Sequence, residues 1–183
     1  MEFTKINWPG LGCSITAATL VALSILYTAP WWQVAIGDGV GQAEISPLDY
    51  KANLAGASIE IPIIWFLTLV GKLTMAACTV AMFIHSVSTQ KPFSKHLLGF
   101  AYKKPFLILV LFIVMLVVST YMVGTFFGVN VPLTGTITLS LFFGGATAKI
   151  PISTSFTWVF WLAVATAVLA IAAKIYEWKV LKT

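Results

Sequence analysis

Residues 105–128 read PFLILVLFIVMLVVSTYMVGTFFG, a run with no charged side chain. A helix needs about 20 apolar residues to cross the hydrocarbon core of a bilayer. In lipid every backbone N–H and C=O must be satisfied internally, so a run this long and this continuous reads as a helix. Barrel strands instead alternate apolar and polar positions. Three further stretches have the same character: Leu11 to Ala29, Ile61 to Val87 and Phe156 to Tyr176. Composition agrees, because hydrophobic residues make up 59% of the 183 residues and charged residues only 9%. A soluble domain carries about 25% charged residues, too many more for this chain to be covering itself with a wetted surface. The expectation is one membrane domain over residues 1–183, with helices at about 11–29, 61–87, 105–128 and 156–176. The first is longer than the apolar core of a signal peptide, and Pro30 follows its small-residue end, so it is expected to stay as an anchored span.

All eleven basic residues are lysines, and the net charge is +5. Their scatter between apolar blocks reads as topology, not as a nucleic-acid surface. Lys5, Lys91, Lys95, Lys103, Lys104, Lys174, Lys179 and Lys182 fall on one side, against Lys51 and Lys149 on the other. The positive-inside bias makes the first side cytoplasmic, with both termini there, in what is expected to be the plasma membrane. Asp38, Glu44, Asp49 and Glu60 then lie outside. The tryptophans agree with this orientation: Trp31, Trp32, Trp65, Trp158 and Trp161 fall near the outer boundary, and Trp8 and Trp178 near the inner one, as interface anchors.

Two outer segments, 30–60 and 129–155, carry strand signals. From Leu133 to Leu141 the chain alternates, with Thr134, Thr136, Thr138 and Ser140 on one face and Leu133, Ile137, Leu139 and Leu141 on the other. Period-two alternation marks a half-buried strand. Gly144-Gly145 reads as a turn and Ala146 to Ile152 as the returning strand. The first segment alternates more weakly through Trp32, Val34 and Ile36, turns at Gly37-Asp38-Gly39, and continues through Ala43 and Ile45 to a break at Ser46-Pro47. Single hairpins are marginal in water, so the two segments are expected to build one small antiparallel sheet over the bundle. Residues 88–104 are expected to be a cytoplasmic loop that touches anionic headgroups.

This layout, with its paired Trp31 and Trp32 in the first outer segment, resembles the claudin-like tetraspan membrane proteins. The two outer cysteines of that family are absent. The resemblance implies cytoplasmic ends, an outer sheet fed mainly by the first segment, and adhesion or lateral assembly through that sheet. It carries no catalytic residue over.

Within the spans, small residues recur four apart at Gly10, Ser14, Ala18 and Ala22, and Gly124 and Gly128 form a GxxxG pattern; Ala163 and Ala167 lie in the fourth. Such stripes let helices approach closely in lipid, either within a bundle or against a partner. Lys72 is the one charged residue well inside a span, near the middle of the second. A charge at the bilayer centre costs about 2.5–3.5 kcal/mol on insertion scales, and such residues mark pathways or partners. Ser119, Thr120 and Tyr121 are its expected polar neighbours along a transport path, and Glu60 the acid that could reach it; a snorkelling lysine is the plainer reading. His85 and His96 lack the carboxylates or cysteines of a metal site and the matched depth of haem ligands. Cys13 and Cys78 sit in apolar runs and read as buried hydrophobes. No cofactor and no catalytic group are expected. The function expected is a non-enzymatic binding or scaffold protein, an accessory subunit of a membrane complex or a lateral-assembly protein, with other membrane subunits or its own copies as partners. Alternatives are a small oligomeric transporter or channel using Lys72, or a cofactor-free subunit of a redox complex.

Overall fold

The computed structural model describes residues 6–37, 39–89, 91–143 and 146–181. Lys5, Asp38, Gly144, Gly145 and Lys182 lie outside the described residues. Four helices are long and apolar enough to cross a membrane. In chain order the elements are α1 (Trp8–Leu26), β1 (Trp32–Ile36), β2 (Gly41–Ile45), β3 (Tyr50–Leu54), β4 (Ala57–Ser58), α2 (Pro62–Val87), α3 (Ser94–Ala101), α4 (Lys103–Phe127), β5 (Gly135–Phe143), β6 (Ala146–Phe156) and α5 (Trp158–Tyr176). A π-helical turn, Glu177–Leu181, continues α5.

The helix ends follow local chemistry. Asn7 caps α1 by accepting the Gly10 N–H at 3.0 Å, and Pro9 is tolerated in the first turn, where its missing donor costs nothing. The first span therefore starts three residues before the expected Leu11 and ends at Leu26, ahead of Ala29. Pro62 opens α2 in the same way. Phe156, expected to open the last span, is instead the final residue of β6. The stretch 88–104 is not only loop, since α3 occupies its centre. Ser94, Leu98 and Ala101 recur at helical spacing and bury one face.

The two sheet-forming segments build one six-stranded antiparallel sheet in the order β4-β3-β2-β1-β6-β5. β1 and β6 join the halves, with Trp32 opposite Phe156 and Ile36 opposite Ile152. The expected hairpin is present as β5 and β6. β3, which shows no clear alternation, is a strand because β2 pairs with it throughout, from Gly41 opposite Leu54 to Ile45 opposite Tyr50.

A core cluster at the sheet end of the bundle holds Trp31, Trp32, Leu48, Leu20, Met75, Phe112 and Phe160. Trp31 meets Phe112 edge-on, with ring centroids 5.2 Å apart. A second cluster towards the opposite end gathers Cys13, Ala81, Met82, Leu98, Ala101, Ala170 and Ala173. Free cysteines Cys13 and Cys78 are both buried.

The turn between β2 and β3 ties the sheet to α2. The Ser46 hydroxyl accepts the Leu48 and Asp49 N–H groups at 3.2 and 2.8 Å, and Leu48 is buried in the first cluster. Pro47 crosses α2 so closely that a Cβ on Gly71 would stand 2.3 Å from the Pro47 carbonyl oxygen. Overpacking against backbone costs about 1–3 kcal/mol even though alanine is the better helix former. Gly71→Ala is expected to lower the unfolding midpoint in detergent and to loosen the β2–β3 turn, read as faster hydrogen exchange at Leu48 and Asp49. Unchanged stability and exchange would contradict this packing.

Candidate functional site

Lys72 lies on α2 beside that turn. Asn7 of α1 donates its backbone N–H to the Ser86 carbonyl at 3.1 Å, and Leu20 and Met75 share the first core cluster. Continuing that antiparallel register puts Leu26, the last residue of α1, opposite Leu67, and Val21 opposite Lys72. The N-terminal turns of α2 thus stand beyond α1, against the sheet. Lys72 is central in α2 by count, but it sits only about 7 Å inside the sheet-side end of α1.

An open cleft of about 670 Å³ adjoins it, walled by β3, β4 and the start of α2. Asp49, Lys51 and Glu60 line it together with Lys72, Trp65 and Leu69. Two acids and two lysines thus face one space. Among the described residues no ion pair forms there; the one found joins Lys174 to Glu177 at 2.9 Å. Glu60 shares the cleft with Lys72 without pairing to it. Ser119, Thr120 and Tyr121, the expected polar neighbours, belong to α4 and do not line the cleft. Further along, the α1–α2 contact is filled by buried Ala17, Leu20, Met75, Cys13, Cys78 and Met82, so the cleft opens towards the sheet and not through the bundle.

His85 belongs to a different arrangement, at the end remote from the sheet. Its Nδ1 lies 3.0 Å from the Ser94 carbonyl oxygen and 2.7 Å from the Ser94 hydroxyl, and its Nε2 3.2 Å from Asn7 Nδ2. Asn7 Oδ1 accepts from Gly10, and Asn7 Nδ2 donates to the Ala173 carbonyl at 3.0 Å. The Asn7 amide nitrogen can only donate, so His85 Nε2 is the acceptor and the ring proton sits on Nδ1, facing Ser94. Both ring nitrogens are engaged in linking α1, α2, α3 and α5. No group of three potential metal ligands occurs among the described residues. His96 is exposed on α3.

The small residues divide by helical geometry. Gly10 and Ser14 are buried, whereas Ala18 and Ala22 face outward. Steps of four overshoot the 3.6-residue turn and drift off the contact face. The buried row of α1 alternates steps, through Gly10, Cys13, Ser14, Ala17, Leu20 and Ser24. Ala163 and Ala167 are buried on α5. Gly128 ends α4 in the left-handed conformation, φ 66°, with its N–H donated to the Gly124 carbonyl, so this GxxxG pair forms a helix stop. Trp31 and Trp32 are core residues, and Trp32 Nε1 donates to the Leu133 carbonyl at 2.8 Å. Trp65, Trp158, Trp161 and Trp178 are each more than 60% exposed, so they are free to stand as interface anchors.

α4 is the least enclosed of the four long helices. Its Phe112 packs near Phe160, two residues into α5, with centroids 6.4 Å apart. Beyond Phe112, α4 still has about 22 Å to run. Past Leu116 none of its described residues is buried, and Val117, Val118, Tyr121, Met122 and Phe126 are all exposed.

Removing the Asn7 amide leaves His85 Nε2 and the Gly10 N–H without their partner in a buried site, each costing about 1–3 kcal/mol, while the Ala173 carbonyl keeps the Glu177 N–H. Asn7→Ala is therefore expected to lower thermal stability strongly, whereas His96→Ala leaves it unchanged; a melting series in detergent checks both. Comparison with protein-family models, curated proteins and solved structures finds no match to this chain, so the likeness to claudin-like proteins rests on four membrane-length helices and a small sheet.

Proposed function

We propose that the chain is a non-enzymatic integral membrane protein, with its termini in the cytoplasm and its sheet outside, that assembles laterally with another membrane subunit or with copies of itself through the sheet-side half of α4. The lysine distribution and the exposed tryptophans support the orientation. The observation that carries the assembly role is the mismatch between α4 and its neighbours. α1 and α5 are 19 residues each, about 28 Å, enough for one hydrocarbon core. α4 continues far past the start of α5 with apolar residues on every side. Lipid that covers α1 and α5 does not reach its end, and an apolar surface left in water marks a protein contact.

Transport is less well supported, because buried side chains fill the bundle on the far side of Lys72. A redox role through His85 is disfavoured by the occupation of both its ring nitrogens.

Two measurements test the reading. A membrane-impermeant maleimide is expected to label Val40→Cys on intact cells, and Lys95→Cys only after lysis; the reverse pattern would invert the topology. A photo-crosslinking amino acid at Tyr121 or Phe126 in native membranes is expected to capture one protein species in stoichiometric yield, while the same probe at Ile171 captures lipid. Capture of a different chain identifies an accessory subunit, and capture of this chain identifies self-assembly. Lipid adducts alone at Tyr121 and Phe126 would sink the proposal.

A further inference from the structure

We infer that the Lys72 cleft is a binding site for an outer-leaflet phospholipid with a zwitterionic, amine-bearing headgroup, its phosphate on the Lys72 ammonium and its amine facing Asp49 and Glu60. The inference rests on the proposed membrane orientation but not on the proposed assembly through α4, which uses another face. Its size suits such a ligand, since small-molecule sites span about 300–1,000 Å³, and this cleft holds about 670 Å³. Its walls are amphipathic in the required sense. Trp65 and Leu69 offer an apolar side continuous with the exposed surface of α2, where Leu73 is 63% exposed, so acyl chains can leave the cleft along the helix. The opposite wall is polar, from β3 and β4.

The charges are layered. Lys72 is the deepest, about 7 Å inside the sheet-side end of α1, and its flexible stem can raise the ammonium to phosphate level. Asp49 belongs to the turn entering β3 and Glu60 to the segment before α2, so both acids stand on the sheet side. Lys72 below, with Asp49, Glu60 and Lys51 above as a layer of net negative charge, complements a phosphate with an amine beyond it. The four charges sum to zero and form no ion pair within the cleft among the described residues; the Asp49 carboxylate accepts the Tyr50 N–H at 3.0 Å and keeps lone pairs for a ligand. Desolvating such charges without a partner is costly, and a zwitterion satisfies both signs at once. A purely anionic headgroup would engage the lysines but face Asp49 and Glu60 unfavourably.

The test uses the full chain purified in mild detergent without partner proteins. Native mass spectrometry measures retention of added phosphatidylethanolamine, phosphatidylglycerol and the chain-free headgroup glycerophosphoethanolamine. Wild type is expected to hold one phosphatidylethanolamine per chain in preference to phosphatidylglycerol, and the free headgroup at least tenfold more weakly. Lys72→Met keeps the stem and removes the charge; it should weaken phosphatidylethanolamine retention at least tenfold, and Lys72→Arg should restore most of it. Asp49→Asn combined with Glu60→Gln should erase the preference over phosphatidylglycerol. Circular dichroism on each variant confirms the fold. Equal retention by folded Lys72→Met, no headgroup preference in wild type, or equally tight binding of glycerophosphoethanolamine would each overturn the assignment, the last by replacing the lipid with a water-soluble phosphodiester.

Discussion

The pairing of β1 with β6 is the constraint on which the rest of the molecule depends. It holds the exit of α1 beside the entry of α5, because Trp32 lies opposite Phe156 and each strand is separated from its helix by only a few residues. The Trp31 N–H donates to the Ile45 carbonyl, and the Thr157 N–H donates to the Trp31 carbonyl. Trp31 is thereby held at the joint, where its ring meets Phe112 edge-on within the cluster that also holds Leu20 and Phe160. Without that strand pair the β5–β6 hairpin, marginal alone in water, would be cut off from the four-stranded half built by β1 to β4. The β2–β3 turn would then lose the frame that presses Leu48 into the bundle and shapes the cleft beside Lys72.

At the other end, polar groups hold the helices together where apolar packing gives no preference between protein and lipid. Helices in a bilayer gain little from burying leucine, since lipid tails are equally apolar. The Asn7–His85–Ser94–Ala173 network instead specifies one arrangement, because each buried donor there meets an acceptor. The small residues of α1 and α5 let the two backbones approach closely enough for Cys13 Sγ to contact the Thr166 carbonyl at 3.6 Å. Geometry at one end and hydrogen bonding at the other thus define a three-helix core of α1, α2 and α5, with α4 attached by one edge.

The spans and the β5–β6 hairpin were legible because hydropathy and period-two alternation are local signals. β3 was not, since Tyr50-Lys51-Ala52-Asn53-Leu54 becomes a strand through its neighbour and not through its own pattern. α3 was hidden by its short length and by Lys95 and His96 within it. The depth of Lys72 could not be read from its own span, because it depends on how far α2 overshoots α1. Gly71 beside it gave no sign of its role, which is to admit the Pro47 backbone. The tryptophans show the same limit: two adjacent ones that read as interface anchors are buried, because the sheet and α4 close over them. Asn7 precedes the first apolar run and is the signal that would have placed both the helix start and the polar network, through its capping geometry and the histidine it reaches.

The separation of β1 and β6 along the chain also sets an order of events in time. β1 leaves the ribosome early, and its final neighbour begins only at Ala146, more than a hundred residues later. At about 5–20 residues per second, the edge of β1 waits on the order of 5–20 s for its mate, while α2, α3 and α4 are made. Through that interval the four-stranded half-sheet carries an open row of backbone donors and acceptors, the kind of edge that captures other chains. The biogenesis of this protein is therefore most vulnerable not while its long apolar helices are made but while a short, unfinished sheet waits for its second half.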